Sequence, residues 1–313
     1  MKVEGQKNFS SPLDKVKRSI WAIGGGKGGT GKSFIAANLA IHLASCHREV
    51  VLIDADLGGP NLHTFLGIKE TSSDLGDFVT NKVTSLEETA VPTPIQNLKL
   101  VKGTDNVLFM ENINYYKKLK LIRHIKAFEK KHIIVDIGTG TSYNSIDFFT
   151  LSSPGILVIN PEPTSVENTY YFLKSCIIRI LKAYINYFQL RDIMNRIGYF
   201  SENGRGSIFH FFNSIISYDK SYAQLLFRAL KKFRPCLIIN KARSEKDYIL
   251  GKAMVNVAQK YLAIDINFLG CVEYDDRVPE SLQKFYPFIT NFPHSKTSYS
   301  LKRITEKLTD EAL

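Results

Sequence analysis

The sequence predicts an α/β protein with a mostly parallel sheet, flanked by helices and carrying an α-helical insertion. Three observations lead to this fold class. Short apolar segments alternate with helical stretches along the chain. A glycine-rich loop separates the first apolar segment from the first helical stretch, and carboxylate or amide side chains follow several later segments. Because ligands of parallel α/β sheets bind at the carboxyl ends of the strands, these polar side chains are expected to share one site.

Predicted strands and predicted helices alternate through most of the chain. Helices are predicted where apolar residues recur at helical spacing, near residues 33–45, 114–130, 165–185 and 245–262. Short apolar segments are the predicted strands: residues 20–24, 50–54, 98–103, 133–137, 155–160, 236–240 and 266–272.

The loop after the first strand reads GGGKGGTGKS over residues 24–33 and contains the phosphate-binding pattern G-x-x-x-x-G-K-S/T, filled by Gly26, Gly31, Lys32 and Ser33. Glycines allow backbone N–H groups to approach phosphate oxygens, and the following helix adds the positive end of its dipole. Lys32 is expected to contact the β- and γ-phosphates, and the Ser33 hydroxyl is expected to ligate Mg²⁺. The loop therefore predicts a nucleotide site.

Polar residues at the ends of three other strands complete this predicted site. Asp54 and Asp56 follow the second strand, where one carboxylate can hold the hydrated metal while the other orients an attacking water. Asp136 ends a Walker B-like strand and is expected to bind Mg²⁺ through water. Asn240 ends a later strand, where its amide can read a base edge or simply form a strand-ending turn.

The position of Lys27, just inside the phosphate loop, makes this loop resemble the deviant Walker A loop of the MinD/ParA ATPases. The resemblance implies that Lys27 reaches across a homodimer to the partner's nucleotide, that Asp56 polarises water and that Asp54 serves the metal site. Without this resemblance, the sequence is equally consistent with Lys27 as one more local phosphate contact or as a solvated side chain. The expected catalytic residues are thus Lys27, Lys32 and Asp56, and the expected Mg²⁺ residues are Ser33, Asp54 and Asp136. The expected ATP-binding residues are Gly26, Lys27, Gly28, Gly29, Thr30, Gly31, Lys32, Ser33 and Asn240.

Two further segments look most like the FlhG-like branch of this family: PEPTS at residues 161–165 and YDDRVP at residues 274–279. Members of that branch are implied to dimerise on ATP, to hydrolyse it slowly and to act with a protein partner that stimulates hydrolysis. Regulation of the position or number of a cellular structure, including flagella, is the implied role. Two expected features of the branch are missing: the N-terminal D-Q-A type segment and a separate amphipathic C-terminal anchor.

The connection between the strands at 155–160 and 236–240 is longer than the family pattern implies. We expect a flexible segment at 1–18 and an ATPase domain at 19–313, with a basic helical insertion at about 180–233. Residues 175–233 hold nine Lys/Arg and three Asp/Glu, and residues 117–131 are also basic. Contact with nucleic acid or an anionic membrane is one interpretation, and solvated helix faces are the other. The apolar stripe at Ile177, Leu181, Tyr184 and Phe188 is predicted to pack in a core.

Composition excludes several other classes. The content of 44% hydrophobic and 23% charged residues fits a globular protein, and no apolar run could span a bilayer. The absence of an apolar leader predicts a cytoplasmic location, with peripheral membrane association at the inner face as an extension. The four cysteines are isolated, which argues against a zinc or disulfide framework and favours buried thiols.

Two other functional classes share this type of loop. An ATP-dependent ligase of the cobyrinate-amidating or dethiobiotin-forming type would need an acceptor pocket and, for amidation, a glutaminase domain. A bacterial tyrosine kinase would usually end in a tyrosine cluster, whereas this C-terminus offers only Tyr299. The MinD/ParA-type switch is therefore the leading hypothesis.

Overall fold

The computed structural model describes residues 19–56, 59–104, 115–128, 132–189 and 208–310. The segment at 1–18, which the sequence predicts to be flexible, and residues 190–207 of the predicted insertion lie outside the described residues. All of the predicted strands are present within the described ranges.

The described strands form one eight-stranded sheet in the order β3-β4-β2-β5-β1-β6-β7-β8. Its pairs are parallel except for β3 with β4, which is antiparallel. From β1 the chain forms one side of the sheet through β2, β3 and β4, returns to β5 beside β1, and then crosses to β6 on the other side. The carboxyl end of β1 therefore lies where the strand order reverses. The strands are β1 Ser19–Gly24, β2 Val50–Ala55, β3 Ala90–Pro92, β4 Leu98–Val101, β5 His132–Ile137, β6 Gly155–Ile159, β7 Cys236–Ala242 and β8 Asn267–Glu273.

Helices cover both faces of the sheet, as a buried parallel sheet requires. Alternate residues of β1 illustrate this: Trp21 and Ile23 enter one hydrophobic cluster, and Ala22 enters the other. The helices are α1 Lys32–Ser45, α2 Leu62–Phe65, α3 Leu75–Val79, α4 Tyr115–Ala127, α5 Tyr143–Leu151, α6 Pro163–Tyr187, α7 Ile208–Tyr218, α8 Lys220–Lys231, α9 Glu245–Leu262, α10 Arg277–Gln283, α11 Phe288–Asn291 and α12 Lys296–Asp310.

The first face is covered by α1, α2, α11 and α12, and the second by α3 to α9. In α12, the stripe of Leu301, Ile304 and Leu308 is buried in the core, as its helical spacing predicts. This helix is therefore part of the domain's packing.

The long connection after β6 contains the extended helix α6, followed by α7 and α8. Ile177 and Leu181 of α6 are buried, and Tyr184 and Phe188 are partly buried against the same cluster. Phe211 and Phe212 of the aromatic run after residue 208 are also buried, and α8 packs on both α6 and α7. Core packing is thus the correct interpretation of the predicted apolar stripe.

The structure differs from the sequence prediction at the sheet edges. The short strand β3 is absent from the predicted set, because three residues carry too little periodicity to be recognised. At the other edge, the pairing of β7 with β8 has register shifts, and Gly270 adopts φ 141°. Among the residues that the structure describes, no helix has the length and apolar character needed to cross a membrane.

The prediction that the cysteines are buried is correct for Cys176 and Cys236 but wrong for Cys46, which is exposed just after α1. Cys271 is partly buried. The structure shows all four as free thiols.

Candidate functional site

The phosphate loop connects β1 to α1 at the carboxyl edge of the sheet. Its conformation depends on glycine at two positions for different reasons. Gly31, directly before α1, has φ 89°, which disfavours side chains with a Cβ. A Cβ on Gly26 would lie 2.1 Å from the backbone carbonyl oxygen of Asn168. The loop therefore runs against α6 at a distance that only glycine permits.

The Lys32 side chain is buried where this loop joins α1. Its residue is 6% exposed, and its ammonium donates a long hydrogen bond of 3.4 Å to the Lys27 carbonyl oxygen. Burial lowers the pKa of Lys32, and the carboxylates of Asp136 and Asp56 oppose this effect. The side chain thus faces the carboxylates predicted for the metal and water positions.

Asp136, at the end of β5, is 1% exposed. Among the described residues, neither of its carboxylate oxygens has a partner with good hydrogen-bond geometry. Its pKa is raised well above the ordinary value by burial and by the charge of Asp54, whereas the nearby Ser33 hydroxyl and Lys32 lower it. A buried carboxylate without good hydrogen-bond partners is stabilised by binding a cation or by taking up a proton.

These residues suit a hydrated Mg²⁺ held together with phosphate. Ser33 and Asp136 offer hard oxygen ligands, and the unsatisfied Asp136 oxygens need a positive partner. In the described part of the chain, no three acidic, histidine or cysteine side chains form a closed metal cage. Mg²⁺ usually keeps several water ligands and takes others from nucleotide phosphates, so it does not require a closed cage of protein side chains.

Asp54 is turned toward the backbone of the following loop. One of its oxygens accepts from the N–H groups of Asn61 and Leu62 at 2.9 and 3.0 Å, and the other accepts from the N–H of Asp56 at 3.2 Å. Burial raises its pKa to about 7, against the effect of these hydrogen bonds. Asp54 therefore positions the loop that carries Asp56, and its service to a metal stays a prediction.

Two further loops meet at the phosphate loop. Asp56 lies over Gly138, where an added Cβ would be 2.9 Å from Oδ1 of Asp56. Two residues later, the N–H of Gly140 donates to the Gly25 carbonyl oxygen at 3.3 Å. The loop after β2 and the loop after β5 are thus brought together beside the phosphate loop.

Lys27 is held by its own chain at the rim of the site. Its ammonium donates to Glu162 Oε2 at 2.9 Å and to Thr164 Oγ1 at 2.8 Å. Lys27 and Glu162 are 36% and 52% exposed at their side chains, so the pair is solvent-accessible. Sequence reasoning noted the PEPTS segment but did not assign these two residues a partner, because no local pattern links positions that are over 130 residues apart.

Asn240 is buried against the phosphate loop. Its amide donates to the Thr30 carbonyl oxygen at 2.8 Å, and the next residue, Lys241, donates to the Gly29 carbonyl oxygen at 2.9 Å. The end of β7 thus supports the phosphate loop through these two hydrogen bonds. Recognition of a base by Asn240 stays a prediction.

Comparison with known proteins places this site in a family. Residues 21–288 match the family model described as the CobQ/CobB/MinD/ParA nucleotide binding domain. The chain is 23% identical to the antiactivator FleN of Pseudomonas aeruginosa over 92% of this chain and 85% of that protein. It is 27% identical to the flagellum site-determining protein YlxH of Helicobacter pylori over 56% of this chain and 58% of that protein.

Solved structures show the same fold. The septum site-determining protein MinD of Pyrococcus horikoshii, solved with Mg-ADP, has a TM-score of 0.65 at 21% identity, covering 94% of this chain and 97% of that one. The predicted resemblance to MinD/ParA proteins with an FlhG-like branch is confirmed. The chain belongs to the CobQ/CobB/MinD/ParA nucleotide-binding family and is a P-loop ATPase of the MinD/ParA type.

Proposed function

We propose that this protein is an Mg²⁺-dependent ATP switch that forms a homodimer when ATP is bound. Slow hydrolysis, stimulated by a protein partner, would return it to the monomer. The cycle would regulate the position or number of a cellular structure in the cytoplasm. Flagella are the favoured structure because two relatives are named as an antiactivator of the FleN type and a flagellum site-determining protein.

The observation that carries this proposal is the meeting of Asp56, Gly138 and Gly140 beside the phosphate loop. A γ-phosphate entering the loop would have to displace or replace the Gly140 to Gly25 hydrogen bond. Since Gly138 also contacts Asp56, the same event would reposition the proposed water-orienting carboxylate. Both loops would then report the nucleotide state to the surface around the site.

Bound Mg-ATP would supply the phosphoryl group that is transferred to water. Around it, Lys32 would neutralise phosphate charge, and Ser33 with Asp136 would hold the metal side. Asp56 would orient the attacking water. Asn240 and Lys241 would keep the phosphate loop in the binding conformation through Thr30 and Gly29.

In this proposal, Lys27 contacts the nucleotide of the partner subunit. To reach a partner subunit, its ammonium must leave Glu162 and Thr164. Exposed ion pairs contribute little net stability, so this exchange costs little against a contact with phosphate. The solved complex of the cell division proteins MinC and MinD from Aquifex aeolicus, a structural relative, supports a protein partner for this chain as well.

Light scattering with Mg²⁺ and ATP tests the switch. We expect Asp56→Ala to bind ATP, hydrolyse it at least about tenfold more slowly and accumulate as a dimer. The matched variant Lys27→Ala should still bind ATP but remain a monomer. If Asp56→Ala stays monomeric at saturating ATP, the dimer switch is wrong, and basal ATPase activity without any added small molecule would count against a ligase.

A further inference from the structure

The side chain of Arg179 in α6 binds a carboxylate of the neighbouring helix α5. Its Nε and Nη2 atoms donate to the two oxygens of Asp147 at 2.6 and 3.0 Å. Asp147 is 9% exposed and also accepts from the Lys118 ammonium of α4. The guanidinium carbon of Arg179 lies 5.6 Å from the ring centre of Tyr143, which lies one turn earlier in α5. Two residues of α5 therefore hold the guanidinium in one orientation.

Helix α5 follows directly on the loop to which the proposed function assigns the sensing of a γ-phosphate. This loop covers residues 138–142, and α5 begins at Tyr143, capped by the Ser142 hydroxyl. Within the loop, the Gly140 N–H donates to the Gly25 carbonyl oxygen of the phosphate loop. Because the loop is short and ends in the cap of α5, a shift of α5 along its axis would move Gly140 relative to the phosphate loop.

Helix α6 is fixed to the same phosphate loop near its own start. The Asn168 backbone leaves room only for glycine at Gly26, and Glu162, directly before α6, pairs with Lys27. Arg179 lies about three turns further along this helix. Helix α6 is thus a frame tied to the phosphate loop, and Arg179 connects α5 to that frame.

An apolar contact between α5 and α6 defines their relative position less strictly. The rings of Phe149 and Phe172 meet edge to face, with their centres 5.0 Å apart. Burial of apolar surface is non-directional, whereas a bidentate pair of arginine and carboxylate specifies both distance and angle. The pair of Arg179 with Asp147 is therefore the contact suited to set how far α5 lies along α6.

We propose that Arg179 is a positioning residue for ATP hydrolysis. Through Asp147 it fixes α5 against α6, and it thereby places Gly138 and Gly140 beside Asp56 and the phosphate loop. This inference rests on the proposed function, which gives that loop its role toward the γ-phosphate. An ion pair that only stabilised the fold would need the charge alone, so lysine would replace arginine. Positioning needs the planar fork of arginine, which lysine lacks.

Steady-state hydrolysis of Mg-ATP by the full chain tests this role. We expect Arg179→Met and Arg179→Lys each to lower kcat at least about tenfold, because a small displacement at a reacting centre is costly. The KM for ATP and the affinity for ADP should stay within about twofold of wild type, since the phosphate loop itself is unchanged. The matched control Arg228→Met removes an exposed arginine of α8 and should hydrolyse ATP like wild type.

Circular dichroism and urea unfolding confirm that each variant is folded. A wild-type kcat in Arg179→Met, or full activity in Arg179→Lys, would overturn the proposal. A loss of ADP affinity as large as the loss of kcat would also overturn it, because it would show a damaged phosphate loop instead of a displaced α5. Normal hydrolysis by Asp56→Ala together with a slow Arg179→Met would refute the proposed role of Asp56 and leave that of Arg179.

Discussion

Gly26 and Gly28 belong to the same phosphate loop, but the structure surrounds them differently. A Cβ on Gly26 would overlap the backbone of Asn168 in α6, whereas a Cβ on Gly28 would make an ordinary contact of 3.8 Å with Thr139. The sequence analysis expects both residues to bind ATP, although only Gly26 is a fixed position of the motif. Only the structure shows which one also fixes the loop against a helix.

Substitution by alanine separates these two roles in the nucleotide-free protein. We expect Gly26→Ala to lower the free energy of unfolding by about 1–3 kcal/mol, because backbone atoms must move apart. Gly28→Ala should change it by less than about 0.5 kcal/mol. Urea unfolding followed by circular dichroism measures both. Equal losses in the two variants would show that the contact with Asn168 relaxes freely.

Asp54 predicts a pH dependence of stability. Its pKa is about 7 in the folded state, against an ordinary value of 3.8, mainly because it is buried. Between these values the folded chain keeps a proton that the unfolded chain loses, so stability falls as pH rises from about 4 to about 7. Below that window both states are protonated, and above it the full cost of about 4 kcal/mol is present.

The difference between wild type and Asp54→Asn measures this contribution together with its effect on Asp136, whose pKa the Asp54 charge raises. Without metal or nucleotide, we expect wild type to lose stability relative to the variant by up to about 4 kcal/mol across that window. Chemical denaturation at a series of pH values measures the difference. A pH-independent difference would mean that Asp54 keeps its ordinary pKa in the folded protein.

At the scale of elements, a buried charge cluster joins three helices on one face of the sheet. Asp147 of α5 pairs with Lys118 of α4 and with Arg179 of α6, whose Nε lies 2.6 Å from the carboxylate. The cluster begins one helical turn after the loop that contains Gly138 and Gly140. It therefore ties the helix that follows this loop to α6, which continues into the α7–α8 region.

Removing the shared carboxylate should cost more than removing its outer partner. We expect Asp147→Ala to lower the free energy of unfolding by about 3 kcal/mol, because the desolvation of the buried Lys118 ammonium remains. Arg179→Met should cost less than about 1 kcal/mol, since the Arg179 side chain is 35% exposed. Denaturant unfolding compares the two. Similar losses would show that α6 depends on the ion pair as strongly as α4 does.

The elements also show which structural features can be predicted from local sequence patterns. Long periodic segments such as α9 and apolar segments such as β5 are predictable from the sequence, because their patterns repeat. The strand β3 is too short to carry a pattern, and the partners Lys118, Asp147 and Arg179 are separated by about thirty residues at each step. Contacts of this kind depend on how helices pack, which no local spacing encodes.

For the whole molecule, the sequence located the phosphate loop and the carboxylates, because strand ends in a parallel sheet must meet at one edge. It did not reveal the surroundings that decide their chemistry. Burial of Asp54 and Asp136, and the contact of Lys27 with Glu162, arise only when distant segments fold together.

The two edges of the sheet have a consequence for assembly. One edge strand, β3, has three residues and ends at Pro92, which cannot donate a ladder hydrogen bond. The other, β8, pairs irregularly and carries Gly270 in an unusual conformation. Strands of this kind resist edge-to-edge pairing and the runaway aggregation that it causes. We therefore expect copies of this protein to associate through helices and loops, in contacts that can be undone, and never by extending their sheets.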